Sequence, residues 1–131
     1  LLTHAHIDHS GYLPLLPKFG FHGPIYSSSA TAELCSILLR DSGRIQEEDA
    51  RRANKYKYSK HHPALPLYTE EEARAVLKQF KTVNWQSSIH LKGGLEARWY
   101  PAGHILGASF IRLNSDHCSV LFSGDLGRFN D

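Results

Sequence analysis

The chain has 131 residues, about the size of one domain, and 41% of them are hydrophobic and 21% charged. This balance is typical of a folded domain and argues against intrinsic disorder, collagen and coiled coil. The net charge of +2 does not by itself indicate a nucleic-acid-binding protein, and no apolar run approaches the ~18 residues of a membrane-spanning helix, so we expect no membrane partner.

The first half of the chain is predicted to be mainly helical. Residues 1–3 have the pattern of a strand end, residues 10–19 that of a short helix ending at Gly20, and residues 24–26 that of a short strand. A long helix is predicted to begin near Ser29 or Thr31. Its predicted apolar face carries Ala30, Leu34, Ile37, Leu38 and Ile45.

The second half changes from a helical to a strand pattern. Thr69 and Glu72 form a capping box that begins another helix. The next segments, 87–91 and 95–100, flank Gly93-Gly94 and predict a hairpin. Segments 108–113 and 118–123 flank a longer turn and predict a second hairpin. We therefore expect an α/β fold, with strands packed against helices and a largely antiparallel sheet.

Metal-ligand side chains are concentrated in six residues near the start. The run contains His4, His6, Asp8 and His9. In an extended segment His4 and His6 point to the same side, and a turn near Asp8 brings Asp8 and His9 to a neighbouring position. Two ligand pairs from one short segment are what a two-metal site needs. The alternative is a polar surface loop whose histidines have no shared role.

Two later residues lie where such a site needs ligands. His104 follows a predicted strand and is flanked by glycines, and Asp125 follows an apolar strand inside a glycine turn. Taken alone, His104 is typical of a structural histidine and Asp125 of a turn residue. Their combination with the first cluster favours a metal site for both.

These segments resemble the motifs of a known family. The run from Thr3 to His9 is similar to the HxHxDH signature of the metallo-β-lactamase fold. The sequences AGHILGA around His104 and SGDLGR around Asp125 resemble the third and fourth motifs of this fold family. They are most similar to these motifs as they occur in the β-CASP branch, which comprises RNA-processing and DNA-repair nucleases. The resemblance covers nearly the whole chain.

The resemblance implies a ligand set and a fold. His4, His6 and His104 would hold one zinc, Asp8 and His9 a second, and Asp125 would bridge both; Mn²⁺ or Fe are alternatives to Zn²⁺. Asp8 would also be catalytic, by orienting the attacking hydroxide. The implied fold is a partial αββα sandwich. Residues 1–131 would form an incomplete metallo-β-lactamase-like domain that lacks its first strands, the β-CASP cap and the final core strands, and that is inactive when isolated.

The expected function is that of a metal-dependent phosphodiester hydrolase, a nuclease that processes RNA rather than DNA through a two-zinc-activated hydroxide. The same metal centre would also serve a hydrolase of a small thioester, and a non-catalytic scaffold subunit of an RNA-processing complex is the alternative from another class. Expected partners are RNA and either a second copy or a processing complex. The expected compartment is the cytoplasm, or the nucleus in a eukaryote.

Three sets of residues outside the motifs have weaker signals. Residues 51–62 combine lysines and arginines with tyrosines, which fits either a nucleic-acid contact or the solvated end of a helix. Trp85 and Trp99 are predicted to be packing residues. Cys35 and Cys118 are predicted to be free thiols in the core, since two cysteines cannot form a disulfide framework.

Overall fold

A computed structural model describes residues 1–128 of the chain. The predicted domain extends to residue 131, so its last three residues lie outside the described part. The helices and strands, in chain order, are α1 (Ile7–Ser10), a 3-10 helix (Leu13–Phe19), β1 (Ile25–Ser27), α2 (Ser29–Tyr56), α3 (Glu70–Leu77), β2 (Phe80–Thr82), β3 (Ser88–Leu91), β4 (Leu95–Pro101), β5 (Ser109–Asn114) and β6 (Ser119–Phe122).

The strands form two sheets. β1 and β2 pair in parallel, with α2 and α3 between them in the chain, whereas β3 to β6 form a four-stranded antiparallel sheet in sequence order. Both predicted hairpins are confirmed: β3 pairs with β4 across Gly93-Gly94, and β5 pairs with β6 across the longer turn. The layered α/β fold class expected from the sequence is therefore confirmed.

Residues 1–3 connect the two sheets but are not themselves a strand. The Leu2 amide donates to the Tyr26 carbonyl of β1 at 2.9 Å, and the Thr3 carbonyl accepts from the Ser109 amide of β5 at 2.9 Å. Because these bonds go to different sheets, they form no ladder, and the predicted strand end is wrong. The segment instead carries His4 to the junction between the sheets.

The buried face of α2 differs from the predicted one. Ser28 caps the helix, its hydroxyl accepting from the Thr31 amide. The buried residues of α2 are Thr31, Cys35, Leu39, Gly43 and Ala53. Ile37, Leu38 and Ile45, which the periodicity placed on the apolar face, are exposed. The reason lies at Gly43, where an added Cβ would lie 2.8 Å from the backbone of Thr69, so α3 can approach α2 only along this small-residue face.

The core lies between α2, α3 and the β1–β2 pair, and a smaller cluster underlies the antiparallel sheet. Leu39 of α2, Val76 of α3 and Ile25 of β1 belong to the first cluster, and Trp99 and Ile111 belong to the second. The capping box at the start of α3 is confirmed, since Thr69 and Glu72 each accept a hydrogen bond from the other's amide. None of the described helices is long and apolar enough to cross a membrane.

Candidate metal centre

Three loops converge at one edge of the antiparallel sheet. β4 and β6 are both antiparallel to β5, so they run in the same direction and the loops that follow them emerge at the same edge. The loop after β4 carries His104 and the loop after β6 carries Asp125. The bond from Ser109 to Thr3 brings His4 and His6 to this edge, ahead of α1.

Four of the predicted ligands form one compact group. The ligand atoms of His4, His6, His104 and Asp125 all lie within 4.8 Å of one another. His104 Nε2 lies 3.0 Å from His6 Nδ1 and 3.4 Å from Asp125 Oδ2, and His4 Nε2 lies 3.7 Å from the same carboxylate oxygen. Three imidazoles and a carboxylate facing one point could hold a transition-metal ion.

The other two predicted ligands lie on the far side of Asp125. Its Oδ1 is 3.2 Å from His9 Nε2, while its Oδ2 faces His4 and His104. Asp8 Oδ2 lies 3.7 Å from His9 Nε2, and the Asp8 side chain is 76% exposed. The carboxylate of Asp125 therefore stands between two groups of donor atoms, and Asp8 is the most open of the six.

His4 is buried in an environment that leaves its Nε2 atom available to a metal ion. Its side chain is fully buried, and its Nε2 has no hydrogen-bond partner among the described residues. Its Nδ1 lies 3.2 Å from Thr3 Oγ1, and an Nδ1–H donated to that hydroxyl leaves the Nε2 lone pair unused. Burial, followed by the nearby His9, lowers the pKa of His4 and favours neutral imidazole. A buried polar atom without a partner is costly, and a cation at this point would satisfy it, so the residues fit a metal.

The backbone around the centre is tightly packed. His104 has a positive φ of 68°, a conformation that non-glycine residues seldom adopt and that is common at functional sites. Gly127 donates its amide to the Ala102 carbonyl at 2.8 Å, and a Cβ on Gly127 would collide with the His104 amide. Only glycine allows the Asp125 loop to pack so closely against the His104 loop.

Two residues near the centre were not assigned to it from the sequence. Thr3 contacts His4, and its only sequence signal is its place directly before the first histidine. Trp85, predicted to be a packing residue, is 47% exposed and lines a groove beside His104. That prediction is wrong for Trp85 and confirmed for Trp99, which is fully buried.

Known proteins are similar to this chain over almost its entire length, although no protein-family model matches it. The chain is 31% identical to a ribonuclease of Thermus thermophilus over 97% of its length, and 30% identical to an endoribonuclease of Emericella nidulans over 100% of it. It is 29% identical to Integrator complex subunit 11 of Danio rerio over 95% of its length.

The chain spans between 14% and 25% of the length of these relatives. Their similarity extends across the regions that contain the histidine cluster and the loops of His104 and Asp125, and the α/β fold agrees with it. These relatives confirm the resemblance of the chain to the β-CASP branch of the metallo-β-lactamase-fold proteins, over a part of their length.

Proposed function

We propose that this protein is a metal-dependent ribonuclease that hydrolyses phosphodiester bonds in RNA. The observation that carries the proposal is the position of the Asp125 carboxylate. Its Oδ2 faces His4 and His104, which form one ligand group with His6, and its Oδ1 faces His9. The names of the relatives, a ribonuclease and an endoribonuclease, support RNA as the substrate class over DNA.

The proposed metal assignment uses all six predicted ligands. His4, His6 and His104 with Asp125 Oδ2 would hold one zinc ion, and Asp8 and His9 with Asp125 Oδ1 a second. Mixed imidazole and carboxylate donors suit zinc and also admit manganese or iron. When bound, two such ions supply Lewis acidity that ionises water at neutral pH and offsets negative charge on a phosphate.

The protein side chains have distinct parts in the proposed reaction. Asp8 is open to solvent and next to His9, so its carboxylate can accept a hydrogen bond from the attacking water and orient it towards phosphorus. Burial lowers the pKa of His4 and favours neutral imidazole, so its Nε2 lone pair is available to a cation. Asp125 lies between the two groups of ligand atoms and offers one carboxylate oxygen to each.

Proposed partners and compartment follow from the proposed substrate. A protein that processes RNA would work in the cytoplasm, or in the nucleus of a eukaryote. Assembly into a processing complex is proposed because one relative is named as a subunit of the Integrator complex, and a homodimer is the alternative.

The test is hydrolysis of a labelled single-stranded RNA by the purified full-length protein, not by residues 1–131 alone. We expect cleavage that a chelator abolishes, and a loss of about 10²-fold or more in Asp8→Ala, the range expected for removal of a positioned acid–base group. Asp116→Ala removes an exposed aspartate from the β5–β6 turn and should leave cleavage unchanged.

DNA of the same sequence and a small thioester serve as competing substrates. Hydrolysis of the thioester without cleavage of RNA would contradict the proposal and favour the small-substrate hydrolase. Metal-loaded protein that hydrolyses none of the three would favour the scaffold subunit.

A further inference from the structure

An apolar groove lies directly beside the candidate metal centre. It has a volume of about 350 Å³, within the ~300–1,000 Å³ typical of small-ligand sites. Its side-chain lining includes Trp85, Pro101, Ile105 and Leu106, and it reaches His104. Because His104 belongs to the metal-ligand group, a molecule in this groove would be adjacent to the proposed cleavage site.

The indole of Trp85 is held in place although its side chain is largely open. Its Nε1 donates to Ser109 Oγ at 3.2 Å, and Ser109 Oγ donates in turn to the Gly107 carbonyl at 3.1 Å. Trp85 is 47% exposed, whereas Ser109 is buried. An exposed aromatic ring with a tethered polar atom is a preorganised surface for stacking.

The loop that contributes Leu106 to the groove is also held in place. The loop that carries Leu106 is attached to the start of α2, because Ser28 Oγ and Thr31 Oγ1 both donate to the Gly107 carbonyl, at 2.7 and 3.0 Å. Leu106 itself is 73% exposed and stands next to Trp85 at the groove. The groove therefore does not need to form when a ligand arrives.

The chemistry of the lining favours a neutral, flat ligand. Apart from His104, no described side chain lining the groove is ionisable, so nothing there would neutralise a phosphate. Aromatic and aliphatic surfaces suit a nucleobase, whose faces stack on aromatic rings irrespective of sequence.

We propose that the Trp85 groove binds one nucleobase of a single-stranded RNA, stacked on the Trp85 indole next to the phosphate at the metal centre. This proposal rests on the proposed ribonuclease function and specifies a substrate subsite. A base held there would fix the position of the neighbouring phosphodiester relative to His104.

The first experiment measures RNA affinity by fluorescence anisotropy, in an Asp8→Ala background that leaves the RNA uncleaved. Trp85→Ala should weaken binding about tenfold, the effect expected from loss of one stacked base, and Trp85→Phe should restore most of it. Phe19→Ala, which removes an exposed aromatic ring from the 3-10 helix, is the matched control and should have no effect. With an RNA that has no bases along its length, Trp85→Ala should bind as tightly as the protein with Trp85.

The second experiment uses the two tryptophans as reporters. Because Trp99 is fully buried, RNA should quench the emission of Trp85, and the quenching should disappear in Trp85→Phe. This readout in the unsubstituted protein remains informative if Trp85→Ala does not fold.

Unchanged emission on RNA binding, or equal affinities of Trp85→Ala and the parent protein, would overturn the subsite. Quenching by a thioester in place of RNA would also overturn it. Each of these three results leaves the proposed function standing as long as RNA is still cleaved, whereas absence of cleavage contradicts the proposed function itself.

Discussion

Asp125 is the residue on which the arrangement of candidate ligands depends. Its two oxygens face different groups of histidine nitrogens, at 3.4 Å on the side of His104 and 3.2 Å on the side of His9. Loss of this side chain would remove a donor from both groups. Loss of His4 would remove a donor from one group only.

We therefore expect His4→Ala to lower the content of bound metal by about one ion and Asp125→Ala to lower it further, as measured by elemental analysis after zinc loading. His117→Ala, which removes an exposed histidine from the β5–β6 turn, should retain the full content. Unchanged metal in both of the first two variants would contradict the ligand assignment.

The two cysteines have different environments. Cys35 is buried in the core as predicted, but Cys118 is exposed, so the prediction of a core thiol is wrong for it. Burial raises the pKa of Cys35 to about 11, and a hydrogen bond with Ser10 offsets this only in part. At pH 8 the Cys35 thiol therefore stays protonated.

A thiol reagent at pH 8 should modify one equivalent of cysteine rapidly, and Cys118→Ser should remove this fast phase while Cys35→Ser retains it. Reaction of Cys35 should be slow and accelerate about tenfold per pH unit up to its pKa, because only the thiolate reacts. Two equally fast thiols at pH 8 would show that the core opens readily.

Among the helices, α2 differs along its length in how its charged side chains are paired. Its 28 residues extend about 42 Å at 1.5 Å per residue. In the middle, Arg44 pairs with Asp41 and Glu48. Towards the C-terminal end, Arg51, Arg52 and Lys55 are exposed and have no ion pair with any described residue. This end of α2 has uncompensated positive charge, in agreement with either interpretation of residues 51–62.

Replacing Arg51, Arg52 and Lys55 by Gln should weaken RNA binding and flatten its dependence on salt by about 0.7–1 unit of log–log slope per lost phosphate contact. The matched control replaces Lys78, Lys81 and Lys92 by Gln, which removes the same charge from other exposed positions. An equal decrease in both triple variants would indicate a general charge effect, and an unchanged slope in the first would favour a solvated helix end.

At the scale of the whole molecule, Gly107 connects the helical layer to the antiparallel sheet. The Gly107 carbonyl accepts hydrogen bonds from two side chains at the start of α2. In the chain, Gly107 lies between His104 and β5. Its φ is +81°, and an added Cβ would lie 2.7 Å from Ser28 Oγ and from the Thr31 amide. The position of His104 thus depends on contacts between layers.

Gly107→Ala should lower the free energy of unfolding by clearly more than the ~1–2 kcal/mol that a left-handed backbone costs an alanine. Gly93→Ala is the matched control, since Gly93 has a φ of +79° but open space around its Cβ position. Denaturant titration of both variants measures the difference. Equal destabilisation would show that the contact with α2 can relax without cost.

Local sequence patterns correctly predict the features that depend on neighbouring residues. The capping box at Thr69, the hairpin at Gly93-Gly94 and the end of the 3-10 helix at Gly20 follow from local hydrogen bonds and local backbone conformation, and the structure contains all three. The six candidate ligands were also identified from the sequence, because their residue types and spacing are local; their role as ligands stays a prediction.

Which surfaces are buried and which side chains contact one another depends on packing between distant parts of the chain. Periodicity could not show that α3 packs on the Gly43 side of α2, because that depends on a close approach between helices far apart in sequence. The place of Asp125 between two groups of donor atoms depends on loops from opposite ends of the chain. The exposure of Trp85 depends on how its segment packs against the loop that follows β4. Such long-range contacts set the geometry of the centre, since no local signal encodes the distance between residues so far apart in the chain.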